Sequence, residues 1–201
     1  MKNFTHTLPI TDSEKDLTKE AFSIISLMKC YSFETYQHSL RVASISREFA
    51  KYLQYPKYLI KHIFQAALLH DFGKINVPLN VLHKRIKLTK IEREIMNQHV
   101  PDTYRLLKDV SELKIQALLG SLHHERWDGE GHPFKLKGDD IPLISQLISI
   151  ADTWDAMTAD RTYRDGMSKI KAITILVNER NEGQFNPILL DSFIRHISTL
   201  K

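Results

Sequence analysis

The chain has 201 residues, with 28 Lys+Arg against 24 Asp+Glu and a formal charge of +4 with histidine neutral. Hydrophobic residues make up 42% and charged residues 26%, which predicts one folded domain, with or without a short extension, and excludes global disorder. The single cysteine, Cys30, excludes an intrachain disulfide and a cysteine-based zinc site; no stretch nears the ~18 apolar residues of a membrane span, and no run of like charges marks a nucleic-acid tail.

Residues 1–31 are expected to form an N-terminal extension with one helix. It would open near Thr11-Asp12-Ser13-Glu14 and carry Phe22, Ile25, Met28 and Lys29 on one face. A second helix is predicted over 33–53, with Leu40, Ala43, Ile45, Phe49 and Leu53 near one side. Pro56 opens a third over 57–70, with Ile60, Ile63, Phe64, Ala67 and Leu68 inward. Further helices are predicted over 89–100, 102–107, 112–123, 142–159, 168–181 and 187–200. The first of these begins on a capping box, Thr89-Lys90-Ile91-Glu92. No segment sustains the alternation of a strand, so the fold class is all-α, a helical bundle, with the main domain over 32–201. Met1 to Asp12 lack the pattern of a secretory signal, and a reduced, cytoplasmic setting with no room for an attached sensor or receiver domain is the expectation.

Ten histidines are present, and imidazole is both the commonest transition-metal ligand and the usual acid–base group. His70-Asp71-Phe72-Gly73-Lys74 ends an apolar helix, where Gly73 is expected to break the turn. Glu34 and His38 are four apart, on one helix face and about 6 Å apart along its axis, a spacing that suits two metal ligands or a solvated pair. His99 stands alone before Pro101. His123 and His124 end another apolar helix, and Trp127, Gly129 and Gly131 follow as a tight loop. Asp152 and Asp155 lie on an otherwise apolar helix; buried carboxylates need a metal or a basic partner such as Arg161 or Arg164. Mixed imidazole and carboxylate donors suit iron, manganese, cobalt, nickel or zinc over calcium or magnesium. Five histidines, Glu34, Asp71 and Asp152 make eight donors, too many for one ion, and a metal pair about 3.5–4 Å apart is a standard device for in-line attack on a phosphodiester.

The order of these motifs resembles the HD-GYP family, a cyclic di-GMP phosphodiesterase branch of the HD-domain metal-dependent phosphohydrolases. The resemblance runs from about Ser32 to Leu200. It rests on Glu34-x3-His38-x2-Arg41-Val42, Ala66-Ala-Leu-Leu-His-Asp-Phe-Gly-Lys74, Leu88-Thr89, His99, and the run His123 to Pro133. Ile141-Pro-Leu143, Ala151-Asp-x2-Asp-Ala-Met-Thr158, Asp160-Arg-x-Tyr-Arg164 and Gln184-Phe-Asn-Pro187 follow in order. The resemblance implies an HD-domain-like bundle with a central site for two or three transition-metal ions, iron or manganese. Its ligands would be Glu34, His38, His70, Asp71, His99, His123, His124 and Asp152. Lys74, Arg161 and Arg164 would contact substrate phosphates, Asp71 and Lys74 would carry catalytic roles, and Asp155 would orient a ligand or an arginine. The implied reaction is hydrolysis of cyclic di-GMP to the linear dinucleotide or GMP by a hydroxide bridging two ions, with Lys74 or a metal-bound water protonating the leaving oxygen.

The sequence departs from the family pattern at several places. His132 replaces the central tyrosine of Gly-Tyr-Pro, Leu79 follows Pro78, Lys84-Arg85-Ile86 stands for Lys-Pro-Gly, and Thr103 stands where a glycine is usual. His132 is read as a loop histidine; the loop Gly131–Pro133 is implied to meet a diguanylate cyclase. The remaining histidines (His6, His62, His83 and His196) are read as background. Two other readings stay beside the first. One is hydrolysis of another cyclic dinucleotide or phosphoester at the same metals. The other is a catalytically weak module that binds cyclic di-GMP or docks on a partner.

Overall fold

A computed structural model describes residues 18–160 and 165–199. The segment expected to open the first helix, Thr11 to Glu14, and the cations Arg161 and Arg164 lie outside them. Ten α-helices and no strand occur among the described residues: α1 Lys19–Tyr31, α2 Phe33–Tyr52, α3 Lys57–Leu69, α4 Leu79–Leu82, α5 Lys90–Asn97, α6 His99–Leu107, α7 Lys114–Gly120, α8 Leu143–Thr158, α9 Lys169–Asn181 and α10 Pro187–Thr199. Short 3-10 turns cover Phe72–Asn76 and Gly138–Asp140. The molecule is an all-α bundle, as the sequence pattern indicates.

Helix α3 sets the architecture. Every residue from Ile63 to Leu69 is buried, so its C-terminal half has no solvent face and must be central. Helices α2, α7 and α8 pack around it. From α2 come Val42, Ala43, Phe49 and Ala50; from α8 come Leu147, Ile148, Ile150 and Ala151. All eight are completely buried. Phe193 of α10 stands edge-on to Phe49 with ring centroids 5.1 Å apart. Helix α1 shares this core through Ala21, Ile24, Ile25 and Met28. Its inward face differs from the expected one, since Phe22 is exposed. The Tyr31 hydroxyl donates to Val77 O at 2.6 Å and ties the helix to the segment after the 3-10 turn.

Side-chain caps fix several helix starts. Thr18 accepts from Ala21 N, Ser32 from Thr35 N and Ser168 from Lys171 N, while Thr89 and Glu92 close the capping box reciprocally. Two boundaries differ from the sequence expectation. The break expected at Pro101 falls at Gln98, so His99 begins α6 instead of ending α5. Pro101 is then the third residue of α6, in the first turn, where amide hydrogens have no intrahelical acceptor and proline costs nothing. The helix expected over 112–123 is shorter: α7 stops at Gly120 and a turn carries the two adjacent histidines.

Candidate metal centre

Five elements converge on one point. Helix α2 brings His38, the buried end of α3 brings His70 and Asp71, the start of α6 brings His99, the turn after α7 brings His123 and His124, and α8 brings Asp152. Two glycines permit this crowding. A Cβ at Gly120 would stand 2.7 Å from Ala66 O and 3.1 Å from His70 Cα, so α7 crosses α3 backbone to backbone beside His70. A Cβ at Gly73 would stand 2.0 Å from His99 O, so the turn after Asp71 lies directly on α6. Gly73 therefore does not break the chain as expected. It stays inside the 3-10 turn and admits a neighbouring backbone.

Three of the imidazoles share one arrangement. Nδ1 of His70 donates to Ala67 O at 2.6 Å, that of His99 to Met96 O at 2.7 Å, and that of His123 to Gly120 O at 2.7 Å. A carbonyl only accepts, so each Nδ1 carries a proton, which in the neutral ring leaves Nε2 to present a lone pair. His38 Nδ1 instead lies 2.7 Å from Asp155 Oδ2, and its Nε2 is 2.9 Å from Asp152 Oδ1 and 3.5 Å from Asp71 Oδ2. Asp71 is central. Its Oδ1 is 3.2 Å from His99 Nε2, and its Oδ2 is 3.4 Å from His70 Nε2 and 2.5 Å from Lys74 Nζ. Three groups of donors each lie within 4.8 Å of one another: His38, His70 and Asp152; His70, Asp71 and His123; and His99, His123 and His124.

Burial and charge prepare these groups unequally. Burial pushes the His70 and His123 pKa values down against the pull of Asp71 and Asp152, and burial with the nearby His99 lowers His124 to about 3. These rings are neutral, the state in which imidazole binds a metal. Burial also opposes a charge on His38, but Asp152 and Asp155 outweigh it and raise its pKa to about 9. Burial opposes a charge on Asp71 too; His70, Lys74 and His99 outweigh it and hold its pKa well below the usual carboxylate range.

The donor set fits transition-metal ions by its unmet bonding. His70 Nε2, His99 Nε2, His123 Nε2 and Asp71 Oδ1 are buried without a hydrogen-bond partner. A buried polar atom left so is costly, and here all four belong to the donor groups just described. An ion among them would satisfy the set, while the outward Nδ1 bonds fix ring tautomer and direction.

A cavity of about 270 Å³ opens over the centre, with Glu34, His38, Arg41, Asp71, Lys74 and Asp152 in its wall. A second, of about 290 Å³, shares His124 and Asp152 with it and reaches His132 and Thr153. Glu34 stands apart from the donor groups. It lies on the first cavity's wall with the His83 ring 3.8 Å away. Asp155 touches His38 and also takes Arg41, whose Nε and Nη2 donate at 2.7 and 3.0 Å. Sequence reasoning gave Arg41 no role. Its i, i+3 spacing from His38 on α2 was the available signal. His132 stacks on His124 with ring centroids 5.0 Å apart and planes 14° apart. Its loop is pinned by buried Glu125, which accepts from Phe134 N and Leu136 N. Of the histidines read as background, His62 meets Gln116, His196 packs on Phe49 and Tyr52, and His6 lies outside the described residues.

A family model described as "HD domain" matches residues 22–189. The chain belongs to the HD-domain family. A relative named "Probable cyclic di-GMP phosphodiesterase" from Vibrio cholerae is 35% identical over 194 residues, 86% of this chain and 43% of that protein. The "3'3'-cGAMP-specific phosphodiesterase 1" of the same organism is 34% identical over 197 residues, 95% of this chain and 46% of that protein. The HD-domain chain thus spans under half the length of these curated relatives. Among solved structures, Bd1817, an HDG"Y"P protein from Bdellovibrio bacteriovorus, matches with a TM-score of 0.66 at 20% identity, over 80% of this chain and 51% of that one. This likeness shows the HD-domain fold, and the HD-GYP resemblance read from the sequence agrees with the relatives. Among the described residues no helix is long and apolar enough to cross a membrane.

Proposed function

We propose that this chain is a metal-dependent phosphodiesterase that hydrolyses cyclic di-GMP to the linear dinucleotide or GMP. The observation that carries the reading is the cluster of buried, partnerless imidazole and carboxylate atoms beside a cavity whose wall bears a lysine. His38, His70, Asp71, His99, His123, His124 and Asp152 would hold two ions, of iron or manganese, and Glu34, on the cavity wall apart from those groups, would serve a third. When bound, such ions supply Lewis acidity toward phosphoryl oxygens and a strong nucleophile at neutral pH.

The chain's own residues do the rest. Asp71 turns its two oxygens toward different histidines, so one carboxylate organises both halves of the centre. Asp155 orients His38, and its contact with Arg41 fixes that guanidinium at the cavity wall. Lys74 is held at Asp71 and offers its remaining ammonium hydrogens to a phosphate. The leaving 3′-oxygen takes up a proton, and Lys74 Nζ carries one in the cavity wall. Arg161 and Arg164, outside the described residues, would hold further phosphate oxygens. A cytoplasmic setting, a catalytic domain over 32–201, and contact with a diguanylate cyclase through the loop Gly131–Pro133 belong to the same reading.

Chromatography tests it. Protein loaded anaerobically with Fe or Mn converts cyclic di-GMP to its linear product or GMP; intact substrate under those conditions overturns the reading. Lys74→Met lowers kcat/KM by about 10–100-fold, the equivalent of one charge-assisted hydrogen bond of about 1.5–3 kcal/mol. A second reading keeps the centre and changes the nucleotide, supported by the similarity to a relative named for 3'3'-cGAMP. A panel of cyclic dinucleotides separates the two, and full metal content with no turnover of any of them would favour a binding module.

A further inference from the structure

Thr103 stands where the sequence pattern would place a glycine, and it is completely buried. Its hydroxyl sits where two ligand-bearing stretches of backbone meet, the His70–Gly73 segment and the start of α6. Oγ1 accepts from Gly73 N at 2.9 Å, and its own proton lies toward both His70 O, at 3.0 Å, and His99 O, at 2.9 Å. A hydroxyl has one proton and two lone pairs; here the proton is shared between two carbonyls and one lone pair takes the Gly73 amide. The bond to His99 O is the ordinary back-bond of a threonine one turn along a helix. The other two cross from α6 to the His70–Gly73 segment.

The 3-10 turn is also tied to α6 by Asn76, whose Nδ2 donates to Asp102 Oδ2 at 2.9 Å, and its Phe72 is buried, but at the ligand-bearing end the side-chain tie comes from Thr103. Gly73 N is in the first turn of the 3-10 stretch, where an amide lacks a partner within its own turn. Thr103 supplies one. Gly73 also lets α6 approach so closely that a Cβ would meet His99 O and Thr103 N. The same junction carries His70 and Asp71 on one side and His99 on the other. His99 belongs with His123 and His124, while His70 belongs with His38 and Asp152 and also, with Asp71, with His123, so the junction joins donor groups that meet at His123.

We propose that Thr103 is a positioning residue: its hydroxyl clamps the start of α6 to the His70–Gly73 turn and fixes the His99 side of the metal centre relative to the His70 side. The inference rests on the metal-centre reading above. Thr103 touches neither substrate nor ion and acts through the backbone of the ligands.

The test compares three variants by metal titration of the apo protein and by electron paramagnetic resonance of the manganese-loaded form. Thr103→Ser keeps the hydroxyl, and Thr103→Val keeps the shape without it. Thr103→Ala gives a smaller side chain should valine prevent folding, which circular dichroism reports. Serine is expected to retain the wild-type ion count and the spectrum of interacting manganese ions. Valine and alanine are expected to bind one ion less per chain, or to bind it at least tenfold more weakly, and to show isolated manganese. Wild-type ion count and spectrum in either folded hydroxyl-free variant would overturn the proposal, as would a serine variant as impaired as valine. Absence of metal from the wild type would instead mark failure of the underlying metal reading.

Discussion

At His70, His99 and His123 the Nδ1 proton goes to the carbonyl three residues earlier. Backbone supplies that bond whatever the side chain at 67, 96 or 120, so no sequence signal marks it. His38 differs because its Nδ1 faces a carboxylate, Asp155, that also holds Arg41. Asp155→Asn keeps the size and removes the charge that fixes this ring. It is expected to lower metal affinity or activity by about 10–100-fold, as loss of a partner behind a ligating histidine does; metal titration and the hydrolysis assay check it. Much of the centre was legible at this scale because imidazoles and carboxylates at helix ends announce their chemistry. What the sequence hid were the supporting contacts. Arg41, His83 and the stacking of His132 on His124 depend on which helices meet, and Thr103 gains its role from a turn thirty residues away.

Helix boundaries repeat the lesson at the next scale. Apolar periodicity located the helices well where they are long, as in α2, α3 and α8. It failed at α5 and α6, where a proline in a first turn looks like a stop. It also missed α4 and the 3-10 turns, which are too short to show a period. Two substitutions separate helix stability from site geometry. Thr89→Ala removes the capping box of α5 and is expected to cost about 0.5–2 kcal/mol in denaturant unfolding, with metal content unchanged. Gly73→Ala drives a Cβ into the His99 carbonyl. The backbone must shift, so about 1–3 kcal/mol of stability and part of the bound metal should be lost together.

Taken whole, the molecule uses the buried half of α3 to present His70 and Asp71, and gathers their partners from positions as distant in sequence as His38 and Asp152. A metal held by residues from five elements would cross-link them. Ions that bind the folded chain and not the unfolded one stabilise it by about 2.7 kcal/mol at a hundredfold excess over Kd. For a chain of this size, chelation should therefore lower Tm by about 5–10 °C. Calorimetry with and without chelator checks this, and an unchanged Tm would argue against ions at the core. The proposed function requires that the His/Asp cluster hold metal. Elemental analysis of protein purified without oxygen tests it most directly. Two or three iron or manganese ions per chain are expected, lost in Asp71→Ala; a wild-type chain free of transition metal, or an Asp71→Ala chain that keeps its full complement, would contradict the metal assignment.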